Sequence, residues 1–262
     1  MAGSEDLSSK RHKIMPKKSN KWFEHGKMGQ MCQIFAYNIS MIAMEYEIGI
    51  DETARCPSLG PLYILGLMAP KTKLKQMRKR LVVRDSKITT PAQRERAFNY
   101  VIDDPDFTIR LIEIQPQLID MAITRQIRYN LNDLEAVFFA KIILLMLSKR
   151  NAAVYVNNFE KKRSQLIERW KRVGYWEPLK NAEIHITHKY NVAVGLASMV
   201  CKYIEDAESW LWKNIVYGFD FGSKNPNDAK TQEFVRKHPN SQLIRRNWGT
   251  IVPRILSEIK SE

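Results

Sequence analysis

The adjacent acidic residues Asp51 and Glu52 offer the clearest chemistry in this sequence. Carboxylate oxygens are the ligands that Mg²⁺ and other hard divalent cations prefer in proteins. The pair follows a short apolar stretch, 46–50, that predicts a strand, and successive side chains of a strand point to opposite faces. Both residues can serve one metal site only if the chain turns there. The basic Arg55 and a turn rich in Pro and Gly at 57–61 come directly afterwards.

Two further groups of polar residues are weaker candidates for a site. His185 and His188 lie three residues apart on a predicted strand, so a dedicated pair of histidine ligands is disfavoured because their side chains lie on opposite faces. The acidic stretch DDPD at 103–106 separates a predicted helix from a predicted strand, where such residues usually form a turn. Asp51 and Glu52 therefore remain the centre of the predicted chemistry.

The charge of the chain indicates a polyanionic partner. Its 42 Lys and Arg residues outnumber 28 Asp and Glu residues, which gives a formal net charge of +14 and a pI near 9.6. Such a surplus raises the local concentration of nucleic acid. It is also compatible with a charge that only keeps the protein soluble, or with a ribosome-like scaffold protein. We predict RNA, DNA or an RNA/DNA hybrid as the partner.

The composition predicts an intracellular globular protein. Apolar residues make up 44% of the chain and charged residues 27%, as in proteins with a real core. The longest apolar run, 137–148, is too short to span a membrane and contains Lys141. The N-terminus lacks the apolar core of a secretory signal, and the three cysteines form neither a disulfide framework nor a zinc pattern. We expect a cytoplasmic or nucleic-acid-associated protein that is not secreted and has no membrane partner.

The first 44 residues differ from the rest in composition. Residues 1–21 are polar and basic with few apolar anchors, so they predict a flexible basic arm that contacts phosphates or stays solvated. Its candidate nucleic-acid contacts are Lys10, Arg11, Lys13, Lys17 and Lys18. Residues 22–44 contain more aromatic and Met side chains and predict an added element packed on the main domain, 45–262.

Predicted strands and helices alternate from residue 45 onward. Strands are expected at 46–50, 62–68, 107–114, 152–156 and 182–187. Helices are expected at 72–80, 92–102, 132–147, capped by Asn132 or Asp133, and 191–217. This alternation predicts an α/β layer fold with a central sheet.

Six motifs occur in a fixed order along the chain. They are GIDETARCPSLGP at 49–61, DSK at 85–87, YNLN at 129–132, LASMVCKYIED at 196–206, FGSKNPNDAKT at 221–231 and RNWGT at 246–250. Together they resemble the type 2 ribonucleases H (RNase HII), in the form found in archaea and eukaryotes, over about residues 45–252. The resemblance implies a ribonuclease H-like fold of the α/β class. It has a central mixed β-sheet flanked by helices, and here also a C-terminal helical part and a basic N-terminal extension.

The resemblance also implies catalysis by two divalent metal ions that four carboxylates hold. Asp51 and Glu52 match the first two carboxylates, whereas Asn157 stands at the third position and His188, ten residues before Ser198, at the fourth. An amide still offers a carbonyl oxygen, but imidazole suits Mn²⁺ or Zn²⁺ better than Mg²⁺. We therefore expect at least one metal to be lost and Mg²⁺-dependent cleavage to be lost or severely weakened.

The remaining candidate metal ligands are Asp51, Glu52 and Asp206. Mg²⁺ or Mn²⁺ is the expected cofactor if the protein is an active enzyme, whereas an inactive protein needs none. Asp206 has a structural alternative, because it can also bridge or cap on its helix.

The family's substrate-reading residues also have counterparts. Its GRG sequence reads Ala54-Arg55-Cys56 here, its tyrosine for the 2′-hydroxyl group corresponds to Asn225, and the glycine before that tyrosine corresponds to Lys224. The resemblance makes Arg55, Lys87, Lys224 and Asn225 candidate nucleic-acid contacts. A lysine at 224 suits binding of the phosphate backbone better than discrimination of the ribose. For Lys87, pairing with a carboxylate is the structural alternative.

Three functions fit these features. The first is a nucleic-acid-binding protein with weakened or lost nuclease activity, which would bind in a salt-sensitive way with little cleavage. The second is an active, divalent-metal-dependent ribonuclease H with altered ligands, whose activity Asp51→Ala should abolish. The third is a non-catalytic subunit of a larger ribonucleoprotein or polymerase assembly, which would co-purify with one partner after nuclease treatment.

Overall fold

A five-stranded mixed sheet organises the chain in the computed structural model, which describes residues 45–160, 162–187 and 191–261. The strands are β1 (Tyr46–Thr53), β2 (Leu62–Pro70), β3 (Thr108–Ile114), β4 (Ala152–Asn157) and β5 (Ile184–Thr187). They are ordered β3-β2-β1-β4-β5 across the sheet. The predicted basic arm, the added element at 22–44 and His188 lie outside the described residues.

The pairing of β1 determines where the candidate site forms. β1 pairs with β2 in antiparallel orientation, with Asp51 opposite Leu65 and Glu52 opposite Ile64. On its other side β1 pairs with β4 in parallel, so the carboxyl ends of the two strands meet at the same edge of the sheet. Asn157 at the end of β4 is thereby placed beside the acidic pair of β1.

Helices cover both faces of the sheet. They are α1 (Lys71–Arg80), α2 (Pro91–Ile102), α3 (Pro116–Ile123), α4 (Leu131–Leu147), α5 (Arg163–Arg172), α6 (Trp176–Leu179), α7 (Val192–Leu211), α8 (Ala229–Lys237) and α9 (Ile251–Ser261), with a 3₁₀ turn at Ser86–Ile88 and a π-helical turn at Trp212–Val216. None of the helices in the described ranges has the length and apolarity that crossing a bilayer requires.

The alternation of apolar residues along the central strands divides the core in two. Ile48, Ile50 and Ile64 pack with α4 and α5 on one face. Tyr63 and Leu65 pack with α1, α2 and α7 on the other face. A third apolar cluster joins α8 and α9 to the loop after β1. This arrangement agrees with the predicted sheet, its flanking helices and the C-terminal helical part.

Gly49 allows α7 to approach β1 closely. A Cβ atom at Gly49 would lie 2.1 to 2.3 Å from backbone atoms of Ala193 and Val194, a distance that no side chain tolerates. Because α7 contacts the strand directly at this point, its next turn brings Ser198 to Asp51. The glycine therefore helps to place one wall of the site.

Several predicted boundaries differ from the structure, and β1 continues through Asp51 and Glu52 to Thr53 instead of ending at residue 50. Asn130, not Asn132 or Asp133, caps α4, because Asn130 and Asp133 exchange side-chain-to-backbone hydrogen bonds of 2.9 and 3.3 Å in a capping box. The last strand begins at Ile184 instead of residue 182. The long helix predicted at 191–217 ends as α-helix at Leu211 and continues as the π-helical turn.

Candidate active site

Asp51 is a buried carboxylate that the surrounding polar groups hold in place. Only 5% of the residue is exposed to solvent. Asn157 Nδ2 donates a 2.7 Å hydrogen bond to Asp51 Oδ1, and the Ser198 side chain is a second hydrogen-bonding partner. Burial raises the pKa of Asp51, while these two hydrogen bonds act in the opposite direction. Asn157 thus satisfies one oxygen of Asp51 without any cation.

Glu52 is compensated only in part, because the charge of Arg55 and a backbone hydrogen bond lower its pKa while one carboxylate oxygen stays without a described partner. Its Oε2 atom is buried and has no hydrogen-bond partner among the residues that the structure describes. Burial raises the pKa of Glu52 well above its usual range, and the neighbouring charges of Asp51 and Glu135 raise it further. An unpartnered buried carboxylate oxygen is costly unless a proton or a cation occupies its lone pairs. Glu52 is therefore the described group that most requires a positive partner.

The acidic pair lies in a cleft of about 720 Å³. The cleft is lined by the end of β1 and its following loop, the 3₁₀ turn, the end of β4, the middle of α7 and the loop before α8. The predicted site residues that share this cleft are Asp51, Glu52, Arg55, Lys87, Asn157 and Lys224. One site thus contains most of the residues that the motifs single out, although they come from distant parts of the sequence.

Arg55 extends from the loop after β1 to α4. Its Nε donates to both carboxylate oxygens of Glu135, at 2.8 and 3.1 Å, and its guanidinium lies 5.6 Å from the centre of the Phe159 ring. A second guanidinium nitrogen contacts Asn132. Burial raises the pKa of Glu135 to about 7, an effect that Arg55 opposes. The charge of Arg55 is therefore shared with α4 instead of being wholly available to a ligand.

Sequence reasoning did not single out Glu135, which lies 80 residues from Arg55. Its neighbour Asn132 belongs to the YNLN motif, and that motif was the available signal for this side of the site. No local pattern marks Glu135, because its role arises only when α4 packs beside the loop after β1.

The sequence pattern of the ribonuclease HII family matches residues 48–251, which include every element that lines the cleft. This chain belongs to the ribonuclease HII family. The ribonuclease HII of Thermofilum pendens is 34% identical over 208 residues, which cover 77% of this chain and 95% of that protein. A ribonuclease H2 subunit from Rattus norvegicus is 28% identical over 82% of this chain and 74% of its own length.

A solved structure supports the same fold. The crystal structure of ribonuclease H2 from Pyrococcus horikoshii OT3 aligns with a TM-score of 0.65 and 26% identity, covering 83% of this chain and all of that one. The predicted ribonuclease H-like fold is confirmed by this similarity together with the five-stranded mixed sheet.

Lys224 takes the place of a glycine in the ribonuclease HII signature. The backbone conformation at this position explains why the signature has a glycine there. Its φ angle is +65°, in the left-handed region that side chains with a Cβ atom rarely adopt. The residue is buried, and its Nζ contacts Glu205 and donates a 2.8 Å hydrogen bond to Ser209 Oγ. Lys224 is thus an internal ion-pair partner here, in contrast to the exposed phosphate contact expected from its charge.

Lys202 is a cation of the cleft that sequence reasoning did not single out. It projects from α7, is about one-third exposed, and pairs with Glu205 and, at 2.8 Å, with Asp206. Arg94 also pairs with Asp206 at 2.9 Å. Two cations therefore engage Asp206, which does not line the cleft, so a role for it as a metal ligand stays a prediction.

Asn225 and Lys87 are both exposed. Lys87 lines the cleft, while Asn225 lies beside it and uses its side-chain oxygen to accept a hydrogen bond from the backbone of Asn227. Within the described ranges, no group of three or more His, Cys, Asp or Glu side chains is arranged to hold a metal ion. Asp51 and Glu52 are the predicted metal ligands that line the described cleft, which two further acids, Asp85 and Glu205, also line.

Ala54 also replaces a family glycine and also has a left-handed backbone, with φ +58°. We expect Ala54→Gly to raise the free energy of unfolding by about 0.5–1 kcal/mol, because glycine adopts this conformation without steric cost. The control is Ala207→Gly on the exposed side of α7, which should lower it by about 1 kcal/mol. Urea unfolding of the three proteins measures both changes. Equal losses in both variants would contradict the strain at Ala54.

Proposed function

We propose that this protein binds nucleic acid, with RNA/DNA hybrid as the first candidate among RNA, DNA and hybrid, and that its nuclease activity is weakened or lost. The observation that carries the proposal is the 2.7 Å hydrogen bond from Asn157 to Asp51. At a position where the family signature has an acid, an amide donates a hydrogen bond to the carboxylate that would otherwise bind metal. The net charge of +14 supports binding to a polyanion.

The described residues fit one divalent cation better than two. Asp51 and Glu52 would hold it, and Asn157 would contribute its amide oxygen after rotation of the side chain, which would also remove the hydrogen bond to Asp51. When bound, a Mg²⁺ or Mn²⁺ ion supplies an activated water and neutralises charge at the scissile phosphate. Two ions side by side need more negative charge than this pair offers. His188 occupies the fourth ligand position by sequence alone.

The other side chains of the cleft are suited to binding a phosphate backbone. Lys87 and Lys202 present positive charge at its wall, and Arg55 lies between the acidic pair and Glu135. Contacts of this kind position a nucleic acid without reading its sequence. The protein therefore retains the means to bind substrate even where its metal ligands are depleted.

A second candidate function is that of an active, Mn²⁺-dependent ribonuclease H. The buried oxygen of Glu52 favours this alternative, because a carboxylate oxygen without a hydrogen-bond donor in the described ranges suits a cation. An imidazole at position 188 would suit Mn²⁺ better than Mg²⁺. The rat relative is named as one subunit of its enzyme, so a role within a protein assembly is a further extension of either function.

A paired assay of binding and cleavage tests the proposal. We expect the purified full chain to bind an RNA/DNA hybrid with an affinity that falls steeply as salt rises, and to cleave it slowly or not at all in Mg²⁺. Rapid Mg²⁺-dependent cleavage that Asp51→Asn removes would overturn the proposal. Cleavage in Mn²⁺ alone, also removed by Asp51→Asn, would establish the second candidate. Cleavage that survives Asp51→Asn comes from a contaminating nuclease.

A further inference from the structure

The basic helix α1 is a charged surface that the cleft does not include. Within ten residues it has no acidic side chain and six basic ones: Lys71, Lys73, Lys75, Arg78, Lys79 and Arg80. Its first turn contains Lys71 and Lys73, although cations at a helix N-terminus oppose the helix dipole. Lys75 lies four residues from both Lys71 and Lys79, a spacing at which like charges repel. Arg78, Lys79 and Arg80 in the last turn favour the helix dipole, so the stability of the helix accounts for them but not for Lys71, Lys73 and Lys75.

Apolar contacts fix the basic helix to the domain. Leu74 and Met77 are buried in the core cluster that includes α7, and Leu81 directly after the helix is buried as well. The charged side chains are thus presented from a rigid element. A rigid array of cations loses less conformational entropy on binding a polyanion than a solvated tail does, because the array is already ordered.

Three of the six basic side chains are exposed and have no hydrogen-bond, ion-pair or cation–π partner in the described ranges. Lys73 pairs with Asp104 at 2.6 Å, and Arg80 contacts the Tyr100 hydroxyl. In contrast, Lys75, Arg78 and Lys79 are exposed and have no ion-pair partner among the residues that the structure describes. Their charge is free to interact with a ligand in solution.

The chain after the basic helix leads to the cleft. Residues 81–85 connect α1 to the 3₁₀ turn that forms one wall of the cleft. Arg84 on this connection and Lys87 in the turn are exposed, and the exposed acid between them, Asp85, accepts a hydrogen bond from the backbone of Lys87. Cations therefore outnumber acids on the path from the helix to the cleft. The helix is about 15 Å long, and one strand of a duplex places roughly four phosphates along that length.

We propose that the exposed face of α1, formed by Lys75, Arg78 and Lys79, binds the phosphate backbone of the same nucleic acid that occupies the cleft. This contact is made by the part of the nucleic acid that extends beyond the cleft. The inference rests on the proposed function and deepens it, because it assigns a second contact surface to the same ligand. A phosphate backbone fits better than other partners, since the helix itself has no acidic residue and Glu47 is the one described acid that lines the depression beside Lys75 and Arg78. The contact is independent of sequence.

The test is the salt dependence of binding for the full chain and a variant with Lys75→Gln, Arg78→Gln and Lys79→Gln. The probe is an RNA/DNA hybrid of about 30 base pairs, roughly 100 Å long, which extends well beyond the cleft. Each lost phosphate contact reduces the slope of log affinity against log salt by about 0.9, so the variant should lose about two to three units of slope. Between about 50 and 200 mM salt the wild type should then lose up to roughly 40-fold more affinity than the variant.

The matched control carries Lys141→Gln, Lys149→Gln and Arg150→Gln. These three exposed side chains lie on or directly after α4, which packs on the opposite face of the sheet, and their loss changes the net charge equally. An equal reduction of slope in both variants would overturn the inference, because net charge alone would explain it. An unchanged slope in the α1 variant would also overturn it. If the wild type fails to bind hybrid in a salt-dependent way, the proposed function itself fails.

A second measurement uses the wild type and so does not depend on the folding of a variant. Bound hybrid should protect Lys75 and Lys79 from acetylation by an amine-reactive reagent and leave Lys149 reactive. Protection of Lys87 without protection of Lys75 and Lys79 would confine the ligand to the cleft and refute the second surface.

Discussion

Replacing Asn157 and His188 together by aspartate is expected to increase Mg²⁺-dependent cleavage of the RNA strand of a hybrid by at least about 100-fold. An aspartate at 157 removes the amide donor that now occupies Asp51 Oδ1 and adds a charged oxygen ligand beside it. A restored metal ion stabilises charge in the transition state by several kcal/mol. About 3 kcal/mol of that stabilisation corresponds to roughly 100-fold in rate.

A single variant and a triple variant test whether the restored metal ligands cause the increase in cleavage. Asn157→Asp alone should give a smaller increase in cleavage than the double variant. The new aspartate adds negative charge beside Asp51 and Glu52, and without the second aspartate bound metal ions balance this charge less completely. Adding Asp51→Asn to the double variant should return cleavage to the background rate. A double variant that binds hybrid as before and cleaves no faster would show that the depleted ligands do not limit activity.

The sequence was sufficient to predict the acidic pair and its partner at 157. The motif around Asp51 and Glu52 identifies the fold, and the parallel pairing of β1 with β4 in the structure brings Asn157 to the acidic pair. Short apolar runs and, at 107–114, hydrophobic alternation predicted all five strands to within two residues at their starts. These features depend on local pattern and on a topology that the family shares, so a single sequence contains enough information for them.

The surroundings of the acidic pair could not be predicted in the same way. Glu135 and Glu205 matter because they face Arg55 and Lys224 after packing. Glu205 lies within the motif at 196–206, but the motif does not indicate that this residue pairs with Lys224. The burial of Lys224 is also invisible in the sequence, where a lysine in a polar loop indicates exposure.

The loop that contains Arg55 depends on one fully buried cation, Arg245. Its guanidinium donates hydrogen bonds of 2.6, 2.9 and 2.8 Å to the carbonyl oxygens of Ala54, Arg55 and Gly60. Its own backbone N–H donates to the carbonyl oxygen of Ser58. Burial lowers the pKa of Arg245 to about 10, which still leaves it charged at neutral pH. A single side chain thus satisfies three carbonyl groups of the loop that bounds the cleft.

Arg245→Met is therefore expected to lower the free energy of unfolding by at least about 3 kcal/mol. The methionine fills part of the volume but leaves three carbonyl oxygens without donors, and each unsatisfied buried group costs about 1–3 kcal/mol. For a domain of this size the melting temperature should fall by roughly 10 °C. Thermal unfolding followed by circular dichroism measures the change.

Arg246→Met is the matched control, because Arg246 is exposed and its side chain, in the part of the chain that the structure describes, donates one hydrogen bond, to the carbonyl oxygen of Pro239, and interacts with the charge of Asp120. Its melting temperature should stay within about 2 °C of the wild type, as for most surface substitutions. Equal stability of the two variants would mean that water replaces the buried guanidinium without cost. If Arg245→Met remains folded at low temperature, its affinity for hybrid should also fall, because the loop that holds Arg55 loses its fixed conformation. Loss of stability without loss of affinity would separate the fold of this loop from its part in binding.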